Sequence, residues 1–280
     1  MMPAVVSRDI VSLTPVERRV TTAIDVALAA GAVAVILAWI LEHPILYSSS
    51  GPVMSPFTAF SLLVLVLVRQ ARTHADDWPV SLNFAMVGLV LGGNVSSIIT
   101  LAMMPPELWR SFSGIVLTST MTSVGLVLFC LYDFAIVLRE TPPSRFLLDD
   151  MLLHLALAPG GLSLLGYLLG NPAYLSVHAD PRVGISLLEM VFMALYAVGA
   201  VVSNPRLFLW SFLASGWSNR LVFAGLFANQ FVAPFIVAVL FSSHGRTGPG
   251  IELFVMLAGV VTTLTFLTLQ SPLNRRQARG

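Results

Sequence analysis

The sequence predicts an all-α membrane protein, a polytopic helical bundle with about eight transmembrane helices. Of its 280 residues, 56% are hydrophobic and only 10% are charged, whereas a soluble domain has about 25% charged residues. The mean hydropathy is +0.86. The apolar residues fall in blocks of about 20, long enough to cross a hydrocarbon layer of about 30 Å as helices, and short segments rich in Pro, Gly and Arg separate the blocks.

The first predicted span, residues 22–41, follows a basic segment and is too long for the core of a signal peptide, so we expect it to be retained. The second, residues 56–69, is the shortest and follows the helix-breaking pair Gly51-Pro52. The other six spans have lengths suited to crossing the bilayer with some tilt. They cover residues 79–103, 112–138, 146–169, 183–203, 221–243 and 251–270.

Two pairs of similar stretches indicate that a unit of four spans is used twice. The tripeptide Ser-Leu-Leu at 61–63 recurs at 186–188, an offset of 125 that places Val64 opposite Glu189. Likewise "NFAMVGLV" from Asn83 matches "VFAGLFAN" from Val222. Because each half has an even number of spans, both halves have the same topology, related by an axis along the membrane normal. The predicted parts are an N-terminal segment, 1–21, two halves, 22–138 and 146–270, and a tail, 271–280.

The arginines predict the orientation of the chain. All fifteen basic residues are Arg, and twelve of them fall on the face that carries both termini in an eight-span arrangement. Only Arg110, Arg182 and Arg246 fall on the other face. By the positive-inside rule, both termini are expected to be cytoplasmic.

The composition and motifs argue against several classes of function. Cys130 is the only cysteine, so neither an internal disulfide nor a Cys-based metal site is available. The net charge of +1 provides no general field for nucleic acid. No Gly-rich phosphate loop followed by Lys and no H-E-x-x-H motif occurs in the chain. We therefore expect neither an enzymatic site nor a cofactor. We expect the lipid bilayer to be the main surroundings of the protein.

Glu189 is the most informative polar residue in an apolar span. Counted from residue 183, it lies about 9 Å into the hydrocarbon, where a charged group costs at least about 2.5–3.5 kcal/mol. Polar side chains of the third and fourth spans lie at a similar depth, which predicts an outward-opening ligand pocket between spans three, four and six. Its candidate residues are Glu189, Asn94, Ser97, Thr118, Thr122 and Arg182. The alternative is that Glu189 pairs with Arg182 while the hydroxyls bond carbonyls of their own helices.

The aspartates of the spans favour a structural interpretation. Asp25, Asp133, Asp149 and Asp150 lie within one or two turns of predicted cytoplasmic ends, where they can reach headgroup water. We expect Asp133 to approach Arg139. The first-turn position of Asp149 and Asp150 also complements the helix dipole.

The histidines predict contacts between helices more than metal binding. His154 precedes "PGG" at 159–161, which should break or kink span five near the midplane. With Asn229 and Gln230 at comparable depth, His154 is expected to serve as interhelical polar glue. A single intramembrane histidine argues against a bis-His haem. His43, His178 and His244 lie on the predicted outer face near methionines, but they come from three separate loops, so we predict no metal site there.

Two segments carry a resemblance to a known class. "MSPFTAFSLLVLVLVRQ" (54–70) resembles the Met-Ser-Pro-x-Thr-Ala span of the N-terminal multi-pass sensory regions of bacterial histidine kinases and diguanylate cyclases. "LLGYLLGNPAYLSV" (164–177), followed by "ISLLEMVFMALYAVGAVVSNP", is similar to the second half of those regions. The resemblance implies a sensor-type module of a bacterial cytoplasmic (inner) membrane. No output module follows the last predicted span, so a protein partner is expected.

These observations leave three hypotheses for the function. The first is a non-enzymatic sensor-like or accessory module that binds a small or lipophilic ligand and acts through a partner protein. The second is a transporter of small molecules or lipids, because a parallel repeat with a kinked helix suits alternating access. The third is a structural subunit of a larger membrane complex.

Overall fold

The computed structural model describes residues 14–46, 52–74, 78–103, 118–138, 147–170, 174–176 and 183–204, with separate positions between 207 and 265. All regular structure in this part of the chain is helical, which confirms the all-α class. The helices whose bounds are described are α1 (Pro15–Ile40), α2 (Pro56–His74), α3 (Val80–Met103), α4 (Thr120–Leu138), α5 (Leu147–Leu169) and α6 (Leu187–Val202).

Four of these helices, α1, α3, α4 and α5, are long and apolar enough to cross a membrane. They support the expected membrane character of the protein. Helix α6 is a shorter apolar helix, and α2 ends in a polar turn with Arg72 and His74. Predicted spans seven and eight lie largely outside the described residues, so the count of eight and the side of the termini remain predictions.

Local capping signals set two of the helix starts. Helix α1 begins at Pro15, not at residue 22, because Thr14 and Glu17 form a capping box: the Thr14 hydroxyl accepts from the Glu17 N–H and the Glu17 carboxylate accepts from the Thr14 N–H. Helix α6 begins at Leu187, not at residue 183, because Ser186 and Glu189 form the same box. Both helix starts therefore differ from the first residues of the predicted spans, and the membrane boundaries of the spans remain predictions.

Helix α2 lies at the centre of the bundle. It contacts α1, α3, α4 and α6, while α5 packs between α4 and α6. Leu62, Leu65 and Val68 of α2 are fully buried, and Val64 and Val66, which point in other directions around the helix, are buried too. Phe60 and Leu67 of the same helix are exposed, so α2 is enclosed on most sides and open on one. The span predicted as the shortest is therefore the core of the described bundle.

Candidate functional site

Two buried polar clusters lie near opposite ends of α2. The first, which we call the carboxylate cluster, is formed by Ser55, Thr58, Thr118, Ser186 and Glu189. The second, the arginine cluster, is formed by Asp25, Arg69, Gln70, Arg72, Asp133 and Tyr196. Between the two clusters, α2 and α6 present apolar core residues.

Three helix starts meet around the carboxylate cluster, and each is capped by a serine. The hydroxyls of Ser55 and Ser119 accept hydrogen bonds from the N–H groups three residues later, both at 3.0 Å. Ser186 accepts from the N–H of Glu189 at 3.2 Å. These bonds satisfy N–H groups that the first turn of a helix leaves without a partner. The residues at the third helical position are therefore Thr58, Thr122 and Glu189.

Glu189 is buried, and its two carboxylate oxygens have separate partners. Oε2 accepts from the backbone N–H of Ser186 at 2.8 Å, which completes the capping box of α6. Oε1 accepts from the hydroxyl of Thr58 at 2.9 Å, which joins α6 to α2. The carboxylate thus caps the start of α6 and links α6 to the central helix, α2.

The hydroxyl of Thr58 connects Glu189 to the start of α4. It lies 3.0 Å from the Ser55 hydroxyl and 3.3 Å from the Thr118 hydroxyl, and Ser55 and Thr118 are 3.2 Å apart. All three side chains are buried. Since the Thr58 hydrogen is donated to Glu189, its oxygen is left to accept from one of its neighbours.

The structure brings together some of the predicted pocket residues and separates others. Thr118 joins the cluster of Glu189, whereas Thr122 lies 2.7 Å from Ser119 in the cap of α4. Asn94 donates to the Ser61 hydroxyl of α2 at 3.2 Å and to its own helix at Val90. Ser97 is buried on the same helix. Arg182 lies outside the described residues, so its pairing with Glu189 remains a prediction, as does ligand binding by the set.

Glu189 lies closer to the start of its helix than the sequence predicted, and its depth in the hydrocarbon remains a prediction. The helix begins only two residues before it, so Glu189 belongs to the first turn of α6. The start at residue 183 added four residues that are not part of the helix. The signal that sequence reasoning missed is Ser186-x-x-Glu189 directly before an apolar run, a capping-box pattern. Sequence reasoning also missed Ser55 and Thr58, which lie at the start of a span that the predicted pocket did not include.

Arg69 is the central residue of the arginine cluster. Its guanidinium forms an ion pair with Asp25 of α1, and both side chains are buried. The same guanidinium donates to the carbonyl of Tyr196 at 2.8 Å and stacks 4.4 Å from the centre of that ring. Such pairing is what allows a charge to be buried.

Gly199 provides the space that the Arg69 guanidinium occupies. A Cβ atom added at Gly199 would lie 2.6 Å from Nη2 of Arg69 and 3.0 Å from its Cζ. The guanidinium lies directly against the backbone of α6. A larger residue at this position would therefore displace it.

Asp133 of α4 extends the cluster to a second ion pair. Its carboxylate accepts from the Tyr196 hydroxyl at 2.7 Å and from Arg72 at 3.2 Å. Gln70 donates to Asp25 at the other end of the cluster. Two arginines and two aspartates from α1, α2 and α4 are thus joined through a tyrosine of α6, with formal charges that balance.

The expectation that the aspartates of the spans reach headgroup water was wrong. Asp25 and Asp133 are 1% and 0% exposed, and Asp149 and Asp150 are buried as well. Asp133 pairs with Arg72, while the expected partner, Arg139, lies outside the described residues. For Asp25 and Asp133 the reason is the central position of α2, which carries both arginines into the bundle. Arg69 and Arg72, three residues apart on one face of an apolar helix, were the available signal.

The predicted interhelical residues are only partly described. His154 lies half-buried on α5, which continues through Pro159, so the helix does not break at "PGG", and the kink expected there as the alternative remains a prediction. Asn229 and Gln230 lie outside the described residues, as do His178 and His244. The Nδ1 atom of His43 lies 2.7 Å from the carbonyl of Leu41 at the exposed end of α1. Within the described ranges, no group of three or more His, Cys, Asp or Glu side chains has the arrangement of a metal site.

The fold and the two clusters define a helical membrane protein with buried, paired charges. No protein-family model matches the chain, and no similar curated protein or solved structure was found. The function must therefore be inferred from the two clusters and the helices that join them.

Proposed function

We propose that this chain is a non-enzymatic, sensor-like module of a bacterial cytoplasmic membrane. A small or lipophilic ligand binds beside Glu189, and the resulting shift of α2 and α6 is passed to a partner protein at the other end of the bundle. The observation that carries the proposal is the hydrogen bond between Thr58 of α2 and Glu189 of α6, at 2.9 Å.

The same two helices carry residues of both clusters. Thr58 and Arg69 lie on α2, about 16 Å apart along the helix, and Glu189 and Tyr196 lie on α6, about 10 Å apart. Arg69 and Tyr196 meet through a hydrogen bond of 2.8 Å and a stacked ring. A change at the start of either helix therefore reaches the arginine cluster through a continuous helix.

A ligand can act here by competing for hydrogen bonds. A polar group of the ligand that hydrogen-bonds to either oxygen of Glu189 breaks the bond to Thr58 or the bond that caps α6. The ligand therefore binds more tightly to the state in which Glu189 has released this partner, and it shifts the population towards that state. On the neighbouring α3, Oδ1 of Asn94 is buried and has no hydrogen-bond partner among the described residues. This acceptor supports a ligand with a donor group.

The arginines of the sequence support the direction of signalling. If the termini are cytoplasmic, the arginine cluster faces the cytoplasm, because it lies near the start of α1 and the end of α2. A shift of α2 and α6 would then reach the side on which a partner is expected.

Distances between spin labels test the coupling of the two clusters. In a Cys130→Ala background, labels at His74→Cys and Leu138→Cys report the ends of α2 and α4, which are exposed. Thr58→Val removes the donor to Glu189 and should shift or broaden the label distance in lipid nanodiscs. The matched control is Thr262→Val, whose exposed hydroxyl donates to the carbonyl of Ala258 in its own helix. Identical distance distributions in the parent and in Thr58→Val would contradict the proposal.

A native purification tests the ligand and the partner. The full chain is isolated in mild detergent from the parent and from Thr58→Val, and both samples are analysed for co-purifying proteins and retained small molecules. We expect a stoichiometric protein and a small molecule whose occupancy changes in Thr58→Val. A clean chain with neither would contradict a sensor that acts through a partner.

The arginine cluster favours a second candidate, an ion-coupled transporter. Ionisable residues within membrane-crossing helices commonly mark ion or substrate pathways, and here two ion pairs join three helices. The test is proton flux into liposomes that contain the full chain, measured with an internal pH-sensitive dye under an imposed gradient. Flux that falls in Glu189→Gln and Asp133→Asn supports transport, and flux equal to that of empty liposomes contradicts it.

A further inference from the structure

A groove of about 640 Å³ runs along the outside of α1, near the end of α2. Arg18, Arg19 and His74 line one end of it, and the wall beyond is formed by Ala23, Ala27 and Ala30. The groove belongs to neither the carboxylate cluster nor the arginine cluster.

The wall of the groove has the shape of a shallow apolar trough. Ala23, Ala27 and Ala30 follow one another at intervals of four and three residues, which places them on one face of α1. Their small side chains leave room beside Val26, which also lines the groove, and all three alanines are exposed. From Arg18 to Ala30 the trough extends about 18 Å along the helix.

The charge of the groove is concentrated at one end. Arg18 and Arg19 are both exposed, and His74 approaches them from the last turn of α2. The acidic residue of this turn, Glu17, is engaged in the cap of α1, where its carboxylate accepts from the N–H and the hydroxyl of Thr14, both at 2.8 Å. Asp25 points away from the surface and pairs with Arg69.

We infer that this groove binds an anionic phospholipid. The phosphate lies at the basic end between Arg18 and Arg19, and one acyl chain lies along the alanine wall. Basic side chains at the cytoplasmic ends of helices attract anionic headgroups. A free phosphate would use only the basic end, whereas the groove continues as an apolar trough. The competing occupant is a second copy of the chain, because a face of small residues also suits helix packing.

Native mass spectrometry of the full chain tests the headgroup. The chain in mild detergent is titrated with dioleoylphosphatidylglycerol and, separately, with dioleoylphosphatidylcholine. We expect a preference for the anionic lipid that falls by about tenfold in Arg18→Gln/Arg19→Gln, since each basic residue near the surface contributes appreciably to the attraction. The matched control, Arg275→Gln/Arg276→Gln, removes the same charge from another adjacent pair and should keep the preference.

A second variant tests the acyl wall. Ala27→Leu fills the trough without changing the charge and should lower the binding of both lipids, whereas Ala85→Leu at an exposed site on α3 should not. Circular dichroism of each variant confirms that the helices are intact. Three results would overturn the proposal. They are an equal loss of lipid preference in the two double-arginine variants, equal affinity of the parent for the two lipids, and displacement of the lipid by inorganic phosphate. A dimer that Ala27→Leu dissociates would assign the groove to a second copy instead.

Discussion

Glu189 of α6 accepts a hydrogen bond from Thr58 of α2, and the two residues occupy the same position in their helices. Each lies three residues after the serine that caps the helix, Ser55 in α2 and Ser186 in α6. The helix starts are thus 131 positions apart, not 125, and the residue opposite Glu189 is Thr58, not Val64. The acid of one helix and the hydroxyl of the other meet where the two helix starts approach.

Replacing Glu189 should destabilise the protein in proportion to the hydrogen bonds lost. Glu189→Val leaves the Ser186 N–H buried without an acceptor and turns the Thr58 hydroxyl to its longer contact with Thr118, at 3.3 Å, so we expect a loss of about 1–3 kcal/mol in the free energy of unfolding. Glu189→Gln keeps an acceptor and should cost less. Unfolding in mixed micelles measures both variants.

The matched control for Glu189 is Glu17, which occupies the same capping-box position in α1. Its hydrogen bonds are exposed, so Glu17→Val should cost about 1 kcal/mol or less. Equal losses at the two sites would show that burial and the link to Thr58 contribute nothing to stability.

Removing one partner of the Arg69–Asp25 ion pair should lower the free energy of unfolding more than removing both partners. Arg69→Met leaves Asp25 buried without its charge partner, and we expect a loss of about 3–5 kcal/mol. The double variant Arg69→Met/Asp25→Leu removes both charges and should recover part of this loss. A double-mutant cycle in mixed micelles measures the coupling. Losses that simply add would contradict the direct pairing.

Adding one methyl group at Gly199 should displace Arg69. Its Cβ would lie 2.6 Å from Nη2 of the guanidinium, so Gly199→Ala should lower the free energy of unfolding by about 1–3 kcal/mol. Gly92→Ala is the control, because a Cβ there meets nothing within 4 Å. Since Ala favours helix over Gly, the control should be neutral or slightly stabilising. A stable Gly199→Ala chain would place the guanidinium elsewhere.

The hydroxyl of Tyr196 should contribute more to the free energy of unfolding than the hydroxyl of Tyr132. Tyr196→Phe removes the 2.7 Å hydrogen bond to Asp133 and should cost about 1–3 kcal/mol. Tyr132 is also buried, but its hydroxyl donates to the Ala200 carbonyl and accepts from the Asn204 amide at the longer distance of 3.4 Å in both bonds, so Tyr132→Phe should cost less. The same unfolding measurement compares the two. A larger loss in Tyr132→Phe than in Tyr196→Phe would indicate that the hydrogen bond from Tyr196 to Asp133 does not stabilise the buried carboxylate.

The predicted sides of the termini can be tested by labelling. In a Cys130→Ala background, Ser7→Cys and Arg279→Cys should both be protected from an impermeant maleimide in intact spheroplasts and react after lysis. This result follows from an even number of spans and the excess of arginine on the cytoplasmic side. Labelling of one site in intact spheroplasts would require an odd number of spans.

Much of the secondary structure could be predicted from the sequence because its signals are local. Runs of about 20 apolar residues indicate membrane-length helices whatever their neighbours are. The starts of α1 and α6 are also visible as Thr14-x-x-Glu17 and Ser186-x-x-Glu189. Read as capping boxes, these patterns would have predicted both helix starts and the first-turn position of Glu189.

The partners of the buried charges were decided only by the tertiary structure. Arg69 and Asp25 are separated by 44 positions, and Arg72 and Asp133 by 61. Nothing local in either segment distinguishes a carboxylate that meets an arginine from one that faces headgroup water. The sequence by itself determined the helical class and the membrane-length helices, because period and length are properties of one segment. Packing determined that α2 is central and that its arginines pair inside the bundle, because burial forces a charge to find whichever partner the neighbouring helices present.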